Sequence, residues 1–501
     1  MSSAEQIISP IAYGNEEETG LVIRIGDKQL EDAGALTAEM GNHIPANIKR
    51  ASAESSTSGY FMQNGGLLYA GGSYDYAGEG QYCPWDNPER ATPEVAKIKD
   101  LPPYIRAGER LIVATAQNYA EETAATRELP VQIRIQRRTI DSHGNTKASQ
   151  DNFGFFTDTE AQYFNQNAPA RRAFLSFLAA RSFMTGAGLV TPDGLYFGQK
   201  WKDVRDESGY GYYNTMYRTV TGIEAAPGRV EVRLNDVNIS DWAINARVGG
   251  MSALMAVLFD ERLADELAER TSVMKTSIIA AAHRYNQLTL DPEGGLRVQG
   301  NTVAVDYTEH VSDVILGQAG RMFDLDSDAY AIACEMKQYC EDFRKVIRGE
   351  TSINLLANRS DAMAKFMLIL KRYHRDQGLG IERSLTDIDA QSQDLRYDAI
   401  IVNADKEGVR TQYGYGYKLR AKGSFRGTYD ESIVTHAMLN APQDTRASLR
   451  GYIIQTLQPF KVSWDHVRIQ QGKYTQTIPL GGVLNGAVPT ELTPILEARK
   501  K

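Results

Sequence analysis

Hydrophobic and polar residues alternate along three stretches of the chain, 12–25, 131–139 and 229–234. A period of two residues predicts β-strands, because successive side chains of a strand point to opposite faces. In the last stretch, a strand puts the apolar side chains on one face and three charged side chains on the other. The charged face then holds a carboxylate between two guanidiniums: Arg229, Glu231 and Arg233.

Apolar residues three and four positions apart predict helices at 104–126, 160–185, 250–290, 327–347 and 361–376. Residues 71–90 are rich in glycine and turn formers and predict a loop. Strands and helices mix without a regular βαβ alternation, which favours an α+β fold with a large, mostly antiparallel sheet. A further helix-and-strand pattern in 431–501 predicts a small C-terminal domain after a first domain of residues 1–430.

The composition is that of a globular protein, with 501 residues, of which 42% are hydrophobic. The net charge of −8 argues against general nucleic-acid binding, which rewards basic surfaces. No apolar run approaches the roughly 20 residues needed to cross a bilayer, so no membrane association is expected. The start carries no basic segment followed by an apolar one, and the three cysteines form no C-x-x-C pair, which favours a cytoplasmic protein without structural zinc.

Acidic residues in the first strand are candidates for metal binding. Glu16 and Glu18 share a face, about 6.5–7 Å apart by strand rise. Carboxylates that close repel each other unless a cation or protons intervene, and Mg²⁺ prefers oxygen ligands. The alternative is an ordinary solvated sheet face.

The Arg-x-Glu-x-Arg strand also allows two interpretations. It is either a salt-bridged row on a solvated sheet or a functional strand. In the functional interpretation Glu231 binds a metal and Arg233 binds a phosphate or carboxylate, for which a guanidinium fork is well suited.

Two polar loops are further candidates. Glycines in 71–90 would let backbone amides approach phosphates, although the absent Walker pattern excludes a P-loop. The loop 140–153 contains Asp151 and Asn152, which either serve a site or form a surface turn. No G-x-S-x-G elbow supports acyl transfer by serine.

These pieces, in this order, resemble the family of the ligase for Pup, the prokaryotic ubiquitin-like protein, and of the related depupylase/deamidase. Its carboxylate-amine ligase fold is shared with glutamine synthetase. The family's G-x-E-x-E, N-G-[GA]-x-x-Y and H-P-E-Y-[AS]-x-x-E patterns are matched wholly or partly by Gly14, Glu16, Glu18, Asn64, Gly65, Gly66, Tyr69, Pro88, Glu89 and Glu94. "DSHGN" and "QDNF" echo its ligase loop, and "DLRYD" (394–398) and "APQDTRASLRG" (441–451) resemble its later motifs.

The resemblance implies a glutamine-synthetase-like domain over 1–430, which binds ATP and Mg²⁺ and carries the catalysis, and a small domain over 431–501. It implies that a glutamate-type carboxylate is activated by ATP as an acyl phosphate and then attacked by an amine. Metal ligands are implied at Glu16, Glu18, Glu89 and Glu231, with Gln150 or Asp151 replacing a His-Glu pair of the family. Contacts to ATP are implied at Arg229, Arg233 and Tyr69.

One departure from the family concerns its catalytic Asp, two residues after the Tyr of N-G-x-x-x-Y. Gly71 stands at this position, and an insertion of about a dozen residues precedes "NPE". Asp75 or Asp86 in the insertion are candidates to replace it. Asn87 also stands where the family has His before Pro88.

The short stretch between Gly20 and Gln63 and the "DSHGN" echo favour the ligase branch over the depupylase branch. The implied partners are a Pup-like modifier or a glutamate-containing peptide, together with a lysine or a free amino acid as the amine. The alternatives are a depupylase/deamidase, a small-molecule or peptide amino-acid ligase, and an inactive nucleotide-binding homologue.

Overall fold

The computed structural model describes most of the chain, with gaps between the described segments. These segments are residues 9–29, 41–54, 59–71, 87–137, 149–191, 194–202, 228–270, 287–290, 296–297, 301–323, 327–376, 388–457, 459, 461–471 and 474–484.

The strands of the described residues are β1 Ala12–Glu18, β2 Gly20–Ile25, β3 Lys28–Gln29, β4 Arg50–Ser52, β5 Gly59–Met62, β6 Leu67–Gly71, β7 Asn87–Ala91, β8 Val131–Gln136, β9 Ser149–Gly154, β10 Leu189–Thr191, β11 Gly194–Tyr196, β12 Arg229–Asn235, β13 Gln287–Leu290, β14 Leu296–Arg297, β15 Ala399–Asp405, β16 Gly408–Tyr413, β17 Lys461–Val462, β18 His466–Gln471 and β19 Tyr474–Pro479.

The α-helices are α1 Leu101–Arg127, α2 Asp158–Gln166, α3 Ala168–Ala180, α4 Ser182–Thr185, α5 Gln199–Lys202, α6 Asp241–Leu258, α7 Glu261–Arg270, α8 Asn301–Gly317, α9 Asp328–Ile347, α10 Asn354–Ala357, α11 Asp361–Asp376, α12 Ile388–Tyr397, α13 Tyr415–Ala421, α14 Glu431–Leu439 and α15 Arg446–Leu457. Short 3-10 helices lie at Gly41–His43 and Ile98–Asp100.

The largest sheet in the described part of the chain has seven strands in the order β12-β9-β1-β7-β6-β5-β4. Each neighbouring pair in it is antiparallel. A five-stranded sheet follows the order β16-β15-β8-β2-β3, and smaller sheets are β10-β11-β13-β14 and β17-β18-β19. The predicted α+β fold with a large, mostly antiparallel sheet is confirmed.

The predicted strand 12–25 is two strands that belong to two sheets. β1 lies in the middle of the seven-stranded sheet, and β2 pairs with β8 in the five-stranded sheet. Thr19 separates them, and its buried N–H donates to the carbonyl of Pro88, 3.1 Å away. The acidic and apolar halves of the stretch therefore serve different sheets.

Local signals explain where several helices begin. The prolines in the first turn of α1 cost little there, since the first N–H groups of a helix have no intrahelical acceptor. The Thr157 hydroxyl accepts from the Glu160 N–H and the Glu160 carboxylate accepts from the Thr157 N–H, which starts α2 with a capping box. Ser240 caps α6 by accepting from the Ala243 N–H.

The helix predictions agree with the structure in four of the five stretches. Those at 104–126, 327–347 and 361–376 correspond to α1, α9 and α11. The stretch 160–185 is helical but is divided into α2, α3 and α4, because Asn167 accepts from the Ala170 N–H and starts a new helix. In 250–290, α6 and α7 are helical, residues 287–290 form β13, and 271–286 lie outside the described residues.

Two hydrophobic cores stabilise the described residues. The larger contains most of α6 and joins it to both large sheets and to α1 and α9. The smaller joins α15 and the β18–β19 hairpin to β5, through contacts among Phe61, Leu449, Ile453, Val467 and Ile478. Helix α14 packs on α1, and its Ala437 belongs to the larger core. The division into domains 1–430 and 431–501 stays a prediction.

Among the described helices, no single one is long and apolar enough to cross a membrane. One bent pair, α6 with α7, passes that test together, with 119° between its two members.

Candidate active site

Four glutamates from three strands lie on one face of the seven-stranded sheet, which we call the acidic face. Glu16 and Glu18 come from β1, Glu89 from β7 and Glu231 from β12. Antiparallel pairing brings them together, since Glu18 lies directly opposite Glu89. Strand β9 lies between β1 and β12, so its side chains on this face lie between the glutamates of β1 and Glu231 of β12.

Neutral hydrogen-bond donors on β6 and β9 contact the glutamates of β1. Tyr69 on β6 donates from its hydroxyl to Oε2 of Glu16, 3.2 Å away, and Asn152 donates from Nδ2 to Oε1 of the same carboxylate at 3.3 Å. Gln150 donates to Oε1 of Glu18 at 3.0 Å. These contacts fix the directions of both carboxylates of β1.

Two arginines flank the buried Glu231 on β12. Arg229 lies 3.4 Å from Glu231 and 3.4 Å from Glu16, and it also donates to Asn152 at 2.9 Å. Arg233 pairs with the other oxygen of Glu231. Both interpretations of the Arg-x-Glu-x-Arg strand are compatible with this geometry, because the row is salt-bridged and also joins the acidic face.

The acidic face carries more negative than positive charge. Burial, and then the charge of Glu18 and Glu16, raise the pKa of Glu89 to about 8, against lowering by Tyr69 and Arg233. Burial, and then the charges of Glu16 and Glu89, hold the pKa of Tyr69 well above its ordinary value. A bound cation would relieve this repulsion.

The glutamates do not form a ready metal site as they stand. In the described segments, no group of three acidic, histidine or cysteine side chains is arranged to hold a metal ion. The carboxylates instead contact Tyr69, Gln150, Asn152 and the two arginines. Metal binding at this face therefore requires side-chain rearrangement.

The prediction that Asp151 belongs with the four glutamates is wrong. Asp151 lies between Gln150 and Asn152 on β9, so its side chain points to the opposite face of the sheet. There it is buried and pairs with Arg247, whose Nε and Nη2 lie 2.8 and 2.9 Å from its two oxygens. Gln150, the alternative to Asp151, and Asn152 lie on the acidic face instead.

The candidate replacements for the catalytic Asp, Asp75 and Asp86, lie outside the described residues, as does "DSHGN". Gly71 is the last residue of β6 and pairs with Asn87 at the start of β7, so 72–86 connect these two neighbouring strands. The predicted loop 71–90 is wrong at both ends, because Gly71 belongs to β6 and residues 87–90 form part of β7.

The motif at residues 441–451 contacts the turn that contains Asn64, Gly65 and Gly66. Arg450 is buried, and its guanidinium pairs with Glu94, donates to the carbonyls of Gly65 and Trp464, and stacks on the rings of Phe61 and Trp464. We call this group the Arg450 clamp. It connects α15 to the turn that leads into β6, the strand that carries Tyr69.

Comparison with known proteins places this geometry in a family. The model of the family described as "Pup-ligase protein" matches residues 37–468. The chain belongs to the Pup-ligase family. Among curated relatives, a Pup–protein ligase of Acidimicrobium ferrooxidans is 22% identical over 91% of this chain and 92% of its own length. A depupylase of Acidothermus cellulolyticus is 25% identical over 77% of this chain and 73% of its own length.

Solved structures support the same fold. The ligase PafA in complex with the prokaryotic ubiquitin-like protein Pup has a TM-score of 0.72 at 19% identity and covers 99% of this chain and 94% of its own. A structure of PafA in complex with ADP has a TM-score of 0.64 at 19% identity, covering 89% and 91%. At this identity, these likenesses establish the common fold of the Pup-ligase family.

Proposed function

We propose that this protein is an ATP-dependent ligase that joins a glutamate-type carboxylate of a Pup-like modifier to an amine of a target protein. The family supports the reaction class, and the curated ligase matches nearly the full length of the chain. The observation that carries the proposal is the acidic face, where Glu16, Glu18, Glu89 and Glu231 lie beside Arg233.

The acidic face suits a hard divalent cation such as Mg²⁺. Its charged acceptors are all carboxylate oxygens, the ligands that Mg²⁺ prefers. Burial, and then the charges of Glu18 and Glu16, raise the pKa of Glu89 to about 8, and a bound cation would favour its ionised form. Glu16, Glu18, Glu89 and Glu231 would hold the ion. When bound, Mg²⁺ neutralises phosphoryl oxygens and so assists phosphoryl transfer.

Arg233, Arg229 and Tyr69 have different proposed roles at the acidic face. Arg233 is about a quarter exposed and its guanidinium is therefore accessible to a phosphate. Arg229 makes contacts to three side chains of the face and mainly orients Glu16 and Glu231. Tyr69 orients Glu16 from the other side, and all three remain proposed contacts of ATP.

The catalytic base remains assigned to the segment between β6 and β7. An amine must lose a proton before it attacks, and a carboxylate within hydrogen-bond reach would accept it. Asp75 and Asp86, which lie outside the described residues, stand in the sequence between β6 and β7, and these two strands carry Tyr69 and Glu89 of the acidic face. Either of them would replace the family's Asp.

A conjugation assay tests the proposed function. The purified protein is incubated with Mg²⁺, ATP and either a Pup-type peptide ending in glutamate, with a lysine-containing acceptor, or free amino acids. We expect ADP release that requires both peptide and acceptor, and an isopeptide product by mass spectrometry. ADP release with free amino acids alone would instead identify a small-molecule ligase, and nucleotide binding without turnover an inactive homologue.

A depupylase is the second candidate, because the depupylase of Acidothermus cellulolyticus matches 77% of this chain. A depupylase would hydrolyse the amide between a Pup-type glutamate and lysine. The same reagents test it when the preformed conjugate is supplied: cleavage without net conjugation would favour hydrolysis over ligation.

A further inference from the structure

Strands β1 and β7 carry a buried ion pair on the opposite face of the sheet, behind the acidic face. Glu17 lies between Glu16 and Glu18, and Arg90 follows Glu89, so both point away from the acidic face. They are directly opposite each other across β1 and β7 and are bridged side chain to side chain. Their exposures of 1% and 6% show that this pair is largely shielded from bulk water.

A second arginine holds the same carboxylate. Arg137, which follows β8, donates from Nη2 to both oxygens of Glu17, at 3.0 and 2.8 Å. Arg137 also pairs with Glu109 on α1, and Glu109 lies 3.2 Å from Arg106. Glu17 is thereby fixed to the five-stranded sheet and to the long helix α1.

Strand β9 has an equivalent anchor on its reverse face. The two oxygens of Asp151 accept from Arg247, and they also accept from Asn15 at 2.9 Å and from Asn235 at 3.0 Å. Asn15 and Asn235 belong to β1 and β12. The strands that carry the glutamates are therefore tied together from behind by polar contacts.

Buried ion pairs contribute little net stability compared with apolar packing, because desolvation offsets their attraction. Their better-supported effect is on which arrangement the chain adopts. A register slip of one residue between β1 and β7 would transfer Glu17 to the acidic face and leave Arg90 buried without its partner. The pair thus penalises every register except the one that sets Glu18 opposite Glu89.

The register needs such a penalty because it sets two carboxyl groups directly opposite each other, and they repel whenever both are ionised. Directly opposite side chains of an antiparallel pair have Cβ atoms about 4.5–5.5 Å apart, and like charges there are destabilising. We infer that Glu17, Arg90 and Arg137 are positioning residues that hold Glu18 and Glu89 opposite each other for cation and nucleotide binding, an inference that rests on the proposed function.

Substitutions that remove the pair without leaving a lone charge give the test. In the double variant Glu17→Gln with Arg90→Met, Arg137 keeps Glu109 as its partner. We expect at least a tenfold higher KM for Mg–ATP with a kcat within twofold of wild type, and faster amide hydrogen exchange in β1 and β7. The single variant Arg90→Lys, which keeps the charge, is expected to have a KM for Mg–ATP close to that of the wild type.

Arg359→Met is the control for the loss of a buried arginine elsewhere in the protein. Arg359 is a buried arginine whose guanidinium pairs with Asp342 and stacks on the rings of Trp242 and Tyr339, all on helices. Its substitution is expected to lower thermal stability with an unchanged KM and unchanged exchange in β1 and β7.

The outcomes separate the positioning role from the proposed function. If the wild type conjugates but the double variant only loses stability, as Arg359→Met does, then the positioning role is rejected. If the wild type has no nucleotide-dependent activity, the proposed function fails. Hydrogen exchange alone then tests whether Glu17, Arg90 and Arg137 hold the register between β1 and β7, a role that we call the register lock. Unchanged exchange in β1 and β7 of a folded double variant rejects the lock in either case.

Discussion

Glu94 offers a quantitative test of the Arg450 clamp. Its carboxylate accepts from Nε of Arg446 at 2.9 Å and pairs with Arg450. Burial alone would raise the pKa of Glu94, but the charges of Arg450 and Arg446 outweigh it and lower the pKa from 4.5 to about 2. The folded protein therefore favours the ionised form.

The pKa difference gives the expected magnitude. A carboxyl group with a pKa of 4.5 when unfolded and about 2 when folded contributes about 3 kcal/mol to the free energy of unfolding at neutral pH. Because the folded pKa is the lower one, this contribution is present above pH 4.5 and is lost as the pH falls towards 2. The same relation gives a loss of about 0.8 kcal/mol at pH 4 and about 2 kcal/mol at pH 3.

The perturbation is Glu94→Gln, which keeps the length of the side chain and removes its charge. Urea unfolding of both proteins is followed by tryptophan fluorescence at pH 7, 4 and 3, where Trp464 reports on the clamp. We expect Glu94→Gln to be about 3 kcal/mol less stable at pH 7, and the gap to narrow at lower pH. The exposed Glu121→Gln serves as a control with a small, pH-independent effect.

A gap between wild type and Glu94→Gln that stays the same from pH 7 to pH 3 would refute the reasoning. It would mean that the two arginines do not hold this carboxylate in its ionised form.

Three further predictions concern the site and its support. Glu16→Ala removes a carboxylate bonded on both sides and should abolish Mg–ATP binding in calorimetry; unchanged affinity would remove its assignment as a metal ligand. Asp75→Ala or Asp86→Ala should lower turnover at least tenfold if that residue replaces the lost catalytic Asp, and two fully active variants would reject both. A Cβ at Gly451 would lie 2.3 Å from the backbone carbonyl oxygen of Gln63, so Gly451→Ala should lower the free energy of unfolding by about 1–3 kcal/mol. Gly482→Ala is the control, because a Cβ there would have nothing within 4 Å. Equal melting temperatures of the two variants would contradict the close packing at Gly451.

Strand alternation explains much of what the sequence could predict. The two-residue period in 229–234 correctly places Glu231 and its two arginines on one face, and it does the same for Glu16 and Glu18. These predictions need only the geometry of a single strand. The position of β12 beside β9, and of β7 beside β1, depends on contacts between distant parts of the chain, and only the family resemblance suggested it.

The error at Asp151 has the same physical origin. Gln150 and Asp151 are neighbours in a strand and so cannot both face the glutamates, but the sequence does not say which one does. The outcome depends on the register between β1 and β9, which sets Glu16 opposite Gln150. Arg247, the partner that accepts Asp151 on the reverse face, lies nearly 100 residues later and gives no local signal.

The reverse-face pair escaped the sequence analysis for a related reason. Glu17 lies in a run of three glutamates, of which only Glu16 and Glu18 were predicted to bind a metal. A glutamate that is buried in its ionised form requires a cation, and the identity of Arg90 as that cation follows only from the pairing of β1 with β7.

Locating the cation is the most direct test of the acidic face. Crystals grown with ADP and Mn²⁺, which replaces Mg²⁺ and scatters anomalously, would show where the ion binds. We expect an anomalous peak within coordination distance of carboxylate oxygens from Glu16, Glu18, Glu89 and Glu231, beside the phosphates of the nucleotide. A nucleotide and ion bound elsewhere, with the four glutamates free of metal, would contradict the central claim.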